Sequence, residues 1–485
     1  MSADLGGSPA VSPAVSPRRR RSRVPVGTLP RDTGGTRRRR ATVRAGGGGY
    51  DGVPLRPGPE VPAYRTAPGT TLGTWTVGQG TNVQRHLDAL RPFTRAEFGT
   101  SDAAPSEGHI RSVNALLDTL RRPLRTVTGA VRLSADAAAQ QPTSRRLAEL
   151  LRLKSKAHDW VRATEKVWDF YFELFGQRQS RYAEWLLACD RIALDCYQYT
   201  YLGLGAARSI PAPPPFSYMR TGFSPATYRR GIPLRRLGRQ LNPFPLVQLP
   251  YHRLVNPWTL GAVLHEISHN LQNDLGLQRI VPETIARRLM AEGLPAEAVG
   301  VWTRWNREIF ADMAGLLLGG PSFVGSLFDV IGRDPAVSLR YMPTGPHPTP
   351  YLRAFLSTHL LRQLGFEADA ASYDRLWRRL YPDPRASTIP PAVLRTAGRA
   401  IPVVVDAVTG TRFPTLGNRT LRQVQRFEPK EQAMVEEAAG RLARGVDPGV
   451  VPERFLLGAV RAAMDQSHAD PETLMRNFYV ELARR

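Results

Sequence analysis

The chain has 485 residues, 42% of them hydrophobic, enough to bury a sizeable core in two or three compact units. It contains no apolar run of roughly 18 residues and no apolar segment behind its first arginines, so neither a spanning helix nor a signal peptide is expected, and the location it suggests is cytoplasmic. The formal net charge of +24 is almost all arginine, with lysine only at Lys154, Lys156, Lys166 and Lys430; beside abundant Ala, Gly and Pro this looks like the codon bias of a high-GC genome, and without zinc-finger spacing or an RNA-binding aromatic motif it specifies no nucleic-acid partner.

Residues 1–75 carry the repeat "SPAVSPAVSP", the runs "RRRRSR" and "RRRR", "RAGGGG" and many prolines. Few apolar residues there are spaced for a core, so the arm is expected to be disordered. Its arginines suit a weak contact with an acidic partner. Residues 76–205, with "HIRSVNALLDTLRRPLRTV" and "SRRLAELLRLKSKAHDWVRATEKVWDFYFELF", repeat apolar residues at three- and four-residue spacings, which predicts an N-terminal helical subdomain. His86, His109 and His158 stand singly in it and read as ordinary core or surface residues. Cys189 and Cys196 are too far apart along a helix axis for a disulfide and read as buried thiols. From 206 to 258 prolines and arginines crowd together, and "FPLVQLP" is the best strand, with prolines at its ends where an edge strand tolerates them. Helical patterns then run to the C-terminus, through "PYLRAFLSTHLLRQLG" and "ERFLLGAVRAAM". The expected fold is mostly α with a small β element: a central segment over 206–345 and a C-terminal helical subdomain over 346–485.

The central segment holds "TLGAVLHEISHNLQNDLG", where two histidines and a glutamate interrupt an apolar stripe. Asn256 as N-cap, Pro257 in the first turn and Gly276 as the stop predict a helix over 257–275 with Leu260, Val263, Leu264, Ile267 and Leu271 on its apolar face. His265 and His269 are one turn apart, so their imidazoles can converge on one metal ion. Glu266 projects from the flank, able to reach a water beside that ion. Composition alone yields this H-E-x-x-H pattern about once in a hundred chains of this length, and buried histidines and a carboxylate need partners that a zinc ion supplies.

These residues resemble the zincin metallopeptidases. The metzincin continuation needs glycine and histidine where this chain has Gln272 and Leu275, so the resemblance is to the gluzincin branch, whose third ligand is a glutamate on a later helix within E-x-x-x-D. "WTRWNREIFADMAGLLLGG" offers Glu308 and Asp312 one turn apart. The resemblance, confined to residues 256–319, implies a zincin-like catalytic core in which Glu308 completes a His₂Glu zinc site and Asp312 orients a ligand histidine, most simply His265. It also implies hydrolysis of a peptide or protein substrate with Glu266 as general base. An oxyanion donor is expected downstream, with His347, Tyr341, Tyr351 and Arg353 as candidates and His347 favoured because it sits in a Pro/Gly loop.

Alternatives accompany each reading. Glu308 and Asp312 could be an ordinary charged face paired with Arg304 or Arg307. Asp274, Glu283 and Glu297 are weaker third-ligand candidates, the last two standing where acids are expected at helix starts. The whole chain could instead be a non-catalytic, zinc-stabilised helical scaffold. Glu266 argues against that, because a structural site closes its fourth position with a protein ligand and has no use for a base beside it.

Overall fold

In the computed structural model the described residues are 71–485, apart from 206, 207, 235, 236 and 239. The arginine runs and the rest of the arm up to residue 70 lie outside them. Most described residues are helical, with one small sheet.

The first helix, Thr71–Ala89, begins inside the stretch expected to be disordered. Its buried stripe is Thr76, Gln79, Gly80, Val83 and Leu87, a helical spacing built largely from small and polar residues that a count of apolar positions misses. It packs on Glu107–Gln140, which packs in turn on Ser144–Gly176. Ser106 and Thr143 cap those two helices by accepting from the backbone N–H three residues on. In Ala183–Gly203, Cys189 and Cys196 are buried free thiols, pushed up in pKa by burial.

Three strands follow: β1 (Phe216–Met219), β2 (Ala226–Tyr228) and β3 (Leu246–Leu249). Their order is β1-β3-β2, with β1 parallel and β2 antiparallel to β3. The strand in "FPLVQLP" is therefore central, not an edge. Pro245 and Pro250 lie just outside it, so neither removes a ladder N–H, and all four of its residues are buried.

The histidine helix also differs from expectation. A short 3₁₀ turn, Pro257–Thr259, precedes an α-helix over Ala262–Asp274. Asn256 does not cap it, because its amide donates to the carbonyl of His252 at 2.8 Å while Thr259 donates back to the carbonyl of Asn256. Gly276, at φ 69°, ends the helix as expected.

One hydrophobic cluster runs from Leu186 to Leu482, across residues 206 and 346, and a second joins Phe93, Val113 and Phe175 to Phe216 and Leu246 of the sheet. The histidine helix and the Asn306–Gly319 helix are packed face to face inside the first cluster. Among the described residues no helix is long and apolar enough to cross a membrane.

Candidate metal centre

Two one-turn pairs face each other across that helix contact: His265 and His269 on one side, Glu308 and Asp312 on the other. Each pair is set by the helical period, and the two helices meet within one buried cluster to which Val263, Leu264, Ile267 and Leu271 on one and Ile309, Met313 and Leu316 on the other belong. The four polar side chains are carried inward with this apolar surface, and Asp312 is fully buried.

Nε2 of His265 lies 3.1 Å from Nε2 of His269 and 3.2 Å from Oε2 of Glu308, and Nε2 of His269 lies 3.4 Å from Oε1 of Glu308. Four ligands held tetrahedrally at about 2.1 Å from a zinc ion stand about 3.4 Å from one another. The two imidazole nitrogens and the Glu308 carboxylate thus already stand near the spacing of a His₂Glu set. Among the described residues His265, His269 and Glu308 form the one group of three or more potential ligands in which one donor atom from each lies within 4.8 Å of the others. Asp274 accepts instead from the hydroxyl of Tyr197 at 2.9 Å, and Glu283 and Glu297 are exposed and outside the group. Neither Arg304 nor Arg307 pairs with Glu308 or Asp312: Arg304 donates to the Tyr341 hydroxyl at 2.6 Å, and Arg307 is exposed.

Asp312 holds Nδ1 of His265 at 2.8 Å. Behind it Arg353 closes a two-pronged contact, Nε to Oδ2 at 2.5 Å and Nη2 to Oδ1 at 2.8 Å. The arginine keeps the buried carboxylate ionised, and the carboxylate keeps the imidazole in one orientation. Arg353 was an oxyanion candidate in the sequence; its guanidinium is engaged here in bracing Asp312. The available signal was a lone arginine inside the apolar run "PYLRAFL", which implies a buried ionic partner.

Electrostatics separate the two histidines. Burial pulls His265 down, but the hydrogen bonds with Asp312 and Glu308 outweigh it and push its pKa up to about 9. Burial, aided by neighbouring His265, pushes His269 down to about 3, leaving a neutral ring with a lone pair. Glu308 and Asp312 both sit below the usual carboxylate range despite burial, Glu308 through its hydrogen bond with His265 and Asp312 through Arg353. The neutral ring of His269 and the ionised Glu308 are donors as they stand, and His265 would release its Nε2 proton to ligate while its Nδ1–H stays on Asp312, so the donor set fits zinc in chemistry as well as in spacing.

Glu266 is 8% exposed and makes no side-chain hydrogen bond or ion pair among the described residues. Burial pushes its carboxyl up to about 7. It opens with His265, His269 and Glu308 into a cleft of about 890 Å³. Of the four oxyanion candidates, His347 and Arg353 line this cleft and Tyr341 and Tyr351 do not. With Arg353 engaged, His347 remains, its Nε2 3.3 Å from Oε2 of Glu308 and its side chain largely exposed. The cleft's other wall is residues 223–227, including part of β2, tied to the histidine helix by Asn270 donating to the Thr227 hydroxyl at 2.6 Å.

Comparison with protein-family models, curated proteins and solved structures returned no match.

Proposed function

We propose that the chain is a zinc-dependent peptidase of the gluzincin type, with His265, His269 and Glu308 as ligands and Glu266 as general base. One observation carries this reading: the meeting of the two helical pairs beside a buried carboxylate, Glu266, that makes no side-chain hydrogen bond among the described residues and opens into a large cleft. When bound, zinc supplies Lewis acidity toward a carbonyl oxygen and makes a nearby water more acidic. Glu266, with a carboxyl raised by burial to about 7, is suited to accept a proton from the attacking water and return it to the leaving amine at neutral pH. In net terms a C–O bond replaces the C–N bond, and the water's hydrogens end on the two products. His347 is the group available to donate to the developing oxyanion. Asp312 and Arg353 orient His265 and touch no reacting atom.

The cleft wall favours a peptide over other carbonyl substrates. β2 is an edge strand, and an extended backbone can add to such an edge by main-chain hydrogen bonds. The scaffold reading leaves both Glu266 and the cleft without a use. Glu266→Gln separates the two readings: metal analysis should still find about one zinc per chain, while peptide hydrolysis should fall roughly 10²- to 10⁴-fold because the amide cannot take the water proton. Undiminished hydrolysis in that variant would overturn the assignment of the base.

A further inference from the structure

Arginine is common throughout this chain, so its mere presence in the cleft decides nothing; its pairing does. Several arginines drawn into the fold elsewhere meet carboxylates, Arg178 with Asp190 at 2.7 Å, Arg454 with Asp195 at 3.0 Å and Arg461 with Asp465 at 2.8 Å, and Arg230 donates to the carbonyls of Pro211, Ala212 and Pro213. Arg229 does neither. It follows β2, is half-buried in the cleft wall, and its guanidinium makes no hydrogen bond or ion pair among the described residues. Arg307, beside Glu308 on the Asn306–Gly319 helix, lines the same cleft, and its like charge acts on Arg229. Arg307 likewise makes no hydrogen bond or ion pair through its side chain among the described residues. Arg333 and Arg340, which line the same cleft, have no acidic partner among the described residues either, and Arg333 lies over the ring of Phe223 at 4.4 Å. The acids lining the cleft are Glu266 and Glu308, both belonging to the metal centre.

Two like charges brought together where one is partly desolvated are unfavourable unless an anion joins them. Guanidinium groups suit a carboxylate in particular, because their planar fork matches its two oxygens. We propose that Arg229 and Arg307 bind a carboxylate of the substrate beside the scissile bond, so that the cleft selects acidic peptides. This rests on the peptidase reading for the word substrate, but the anion site itself stands on the two arginines. The carboxylate can come from an acidic side chain or from a free chain end, and the two sources are separable by experiment.

The test is calorimetric binding to the zinc-loaded Glu266→Gln protein, which removes turnover from the measurement. Three otherwise identical apolar peptides are compared: one with a central Glu and an amidated end, one with Gln and an amidated end, and one with Gln and a free C-terminal carboxylate. At low salt one of the two carboxylate peptides should bind roughly tenfold or more tightly than the neutral one, and the advantage should shrink as salt is raised. Which peptide gains identifies the source. Adding Arg229→Gln and Arg307→Gln should bring the ratio to about one, with zinc content reporting that the protein still folds; Arg307→Gln alone, at an exposed position, should lower it part of the way. Equal affinity for all three peptides, or a preference that survives the double substitution, overturns the proposal. A charge preference in a protein whose unsubstituted form cleaves no peptide would retain the anion site and remove the peptidase reading, and charge-blind cleavage would do the reverse.

Discussion

At His265 both ring nitrogens face carboxylate oxygens, Asp312 at Nδ1 and Glu308 at Nε2, and the two acids have different work. Glu308→Ala removes one of the three proposed ligands and should abolish zinc binding, whereas Asp312→Ala should weaken affinity by roughly 10- to 100-fold, since it removes only the group that orients the ring. Metal titration of the two variants checks the order, and the reverse ranking would overturn the ligand assignment. His109, remote from this centre, makes a separate prediction. Nε2 donates to the carbonyl of Pro214 at 3.0 Å, Nδ1 lies 2.8 Å from the Ser106 hydroxyl, and burial pushes the pKa down to about 4. Because the folded value lies below the unfolded one of about 6.5, the neutral ring's contribution is complete above pH 6.5 and is lost as pH falls toward 4. Urea unfolding should show about 2 kcal/mol less stability at pH 5 than at pH 8 from this residue, and His109→Gln should lack that part of the slope.

At the scale of the elements, the centre depends on where helices stop. Gly320 ends the ligand helix Asn306–Gly319 with φ 64°, and the next helix starts at once with Pro321. A Cβ there would both adopt a left-handed backbone and fall on the ring of buried Phe427. Gly320→Ala should therefore cost about 2–4 kcal/mol, read as a lower urea midpoint; an unchanged midpoint would show that the ring gives way freely. Long helices such as Glu107–Gln140 were legible because their apolar period repeats over many turns. β1 and β2 were not, being three or four residues long among prolines, and the 3₁₀ turn at 257–259 was hidden by an N-cap signal at Asn256 that another hydrogen bond uses.

For the molecule as a whole, the four residues of the centre belong to helices buried in one core that extends from Leu186 to Leu482. Zinc held by both helices would bind the folded chain and not the unfolded one, so it should stabilise the whole unit. At free zinc a hundred times the dissociation constant the gain is about 2.7 kcal/mol, and it should appear as a higher melting temperature that a chelator reverses. His269→Ala should melt at the same temperature with and without zinc. A zinc-dependent rise in that variant would place the stabilising ion elsewhere.

The local half of the centre was determined by the sequence itself. Residues four apart on a helix share a face whatever surrounds them, so His265 with His269 and Glu308 with Asp312 could be paired from spacing alone. Packing decided the rest: that Glu308 rather than Asp274, Glu283 or Glu297 meets the histidines, that Arg353 clamps Asp312 while His347 faces the cleft, and that Arg229 and Arg307 line one cleft. Those juxtapositions join segments far apart in the chain, and they follow from how apolar faces interlock in a close-packed core, which no periodicity within one segment encodes.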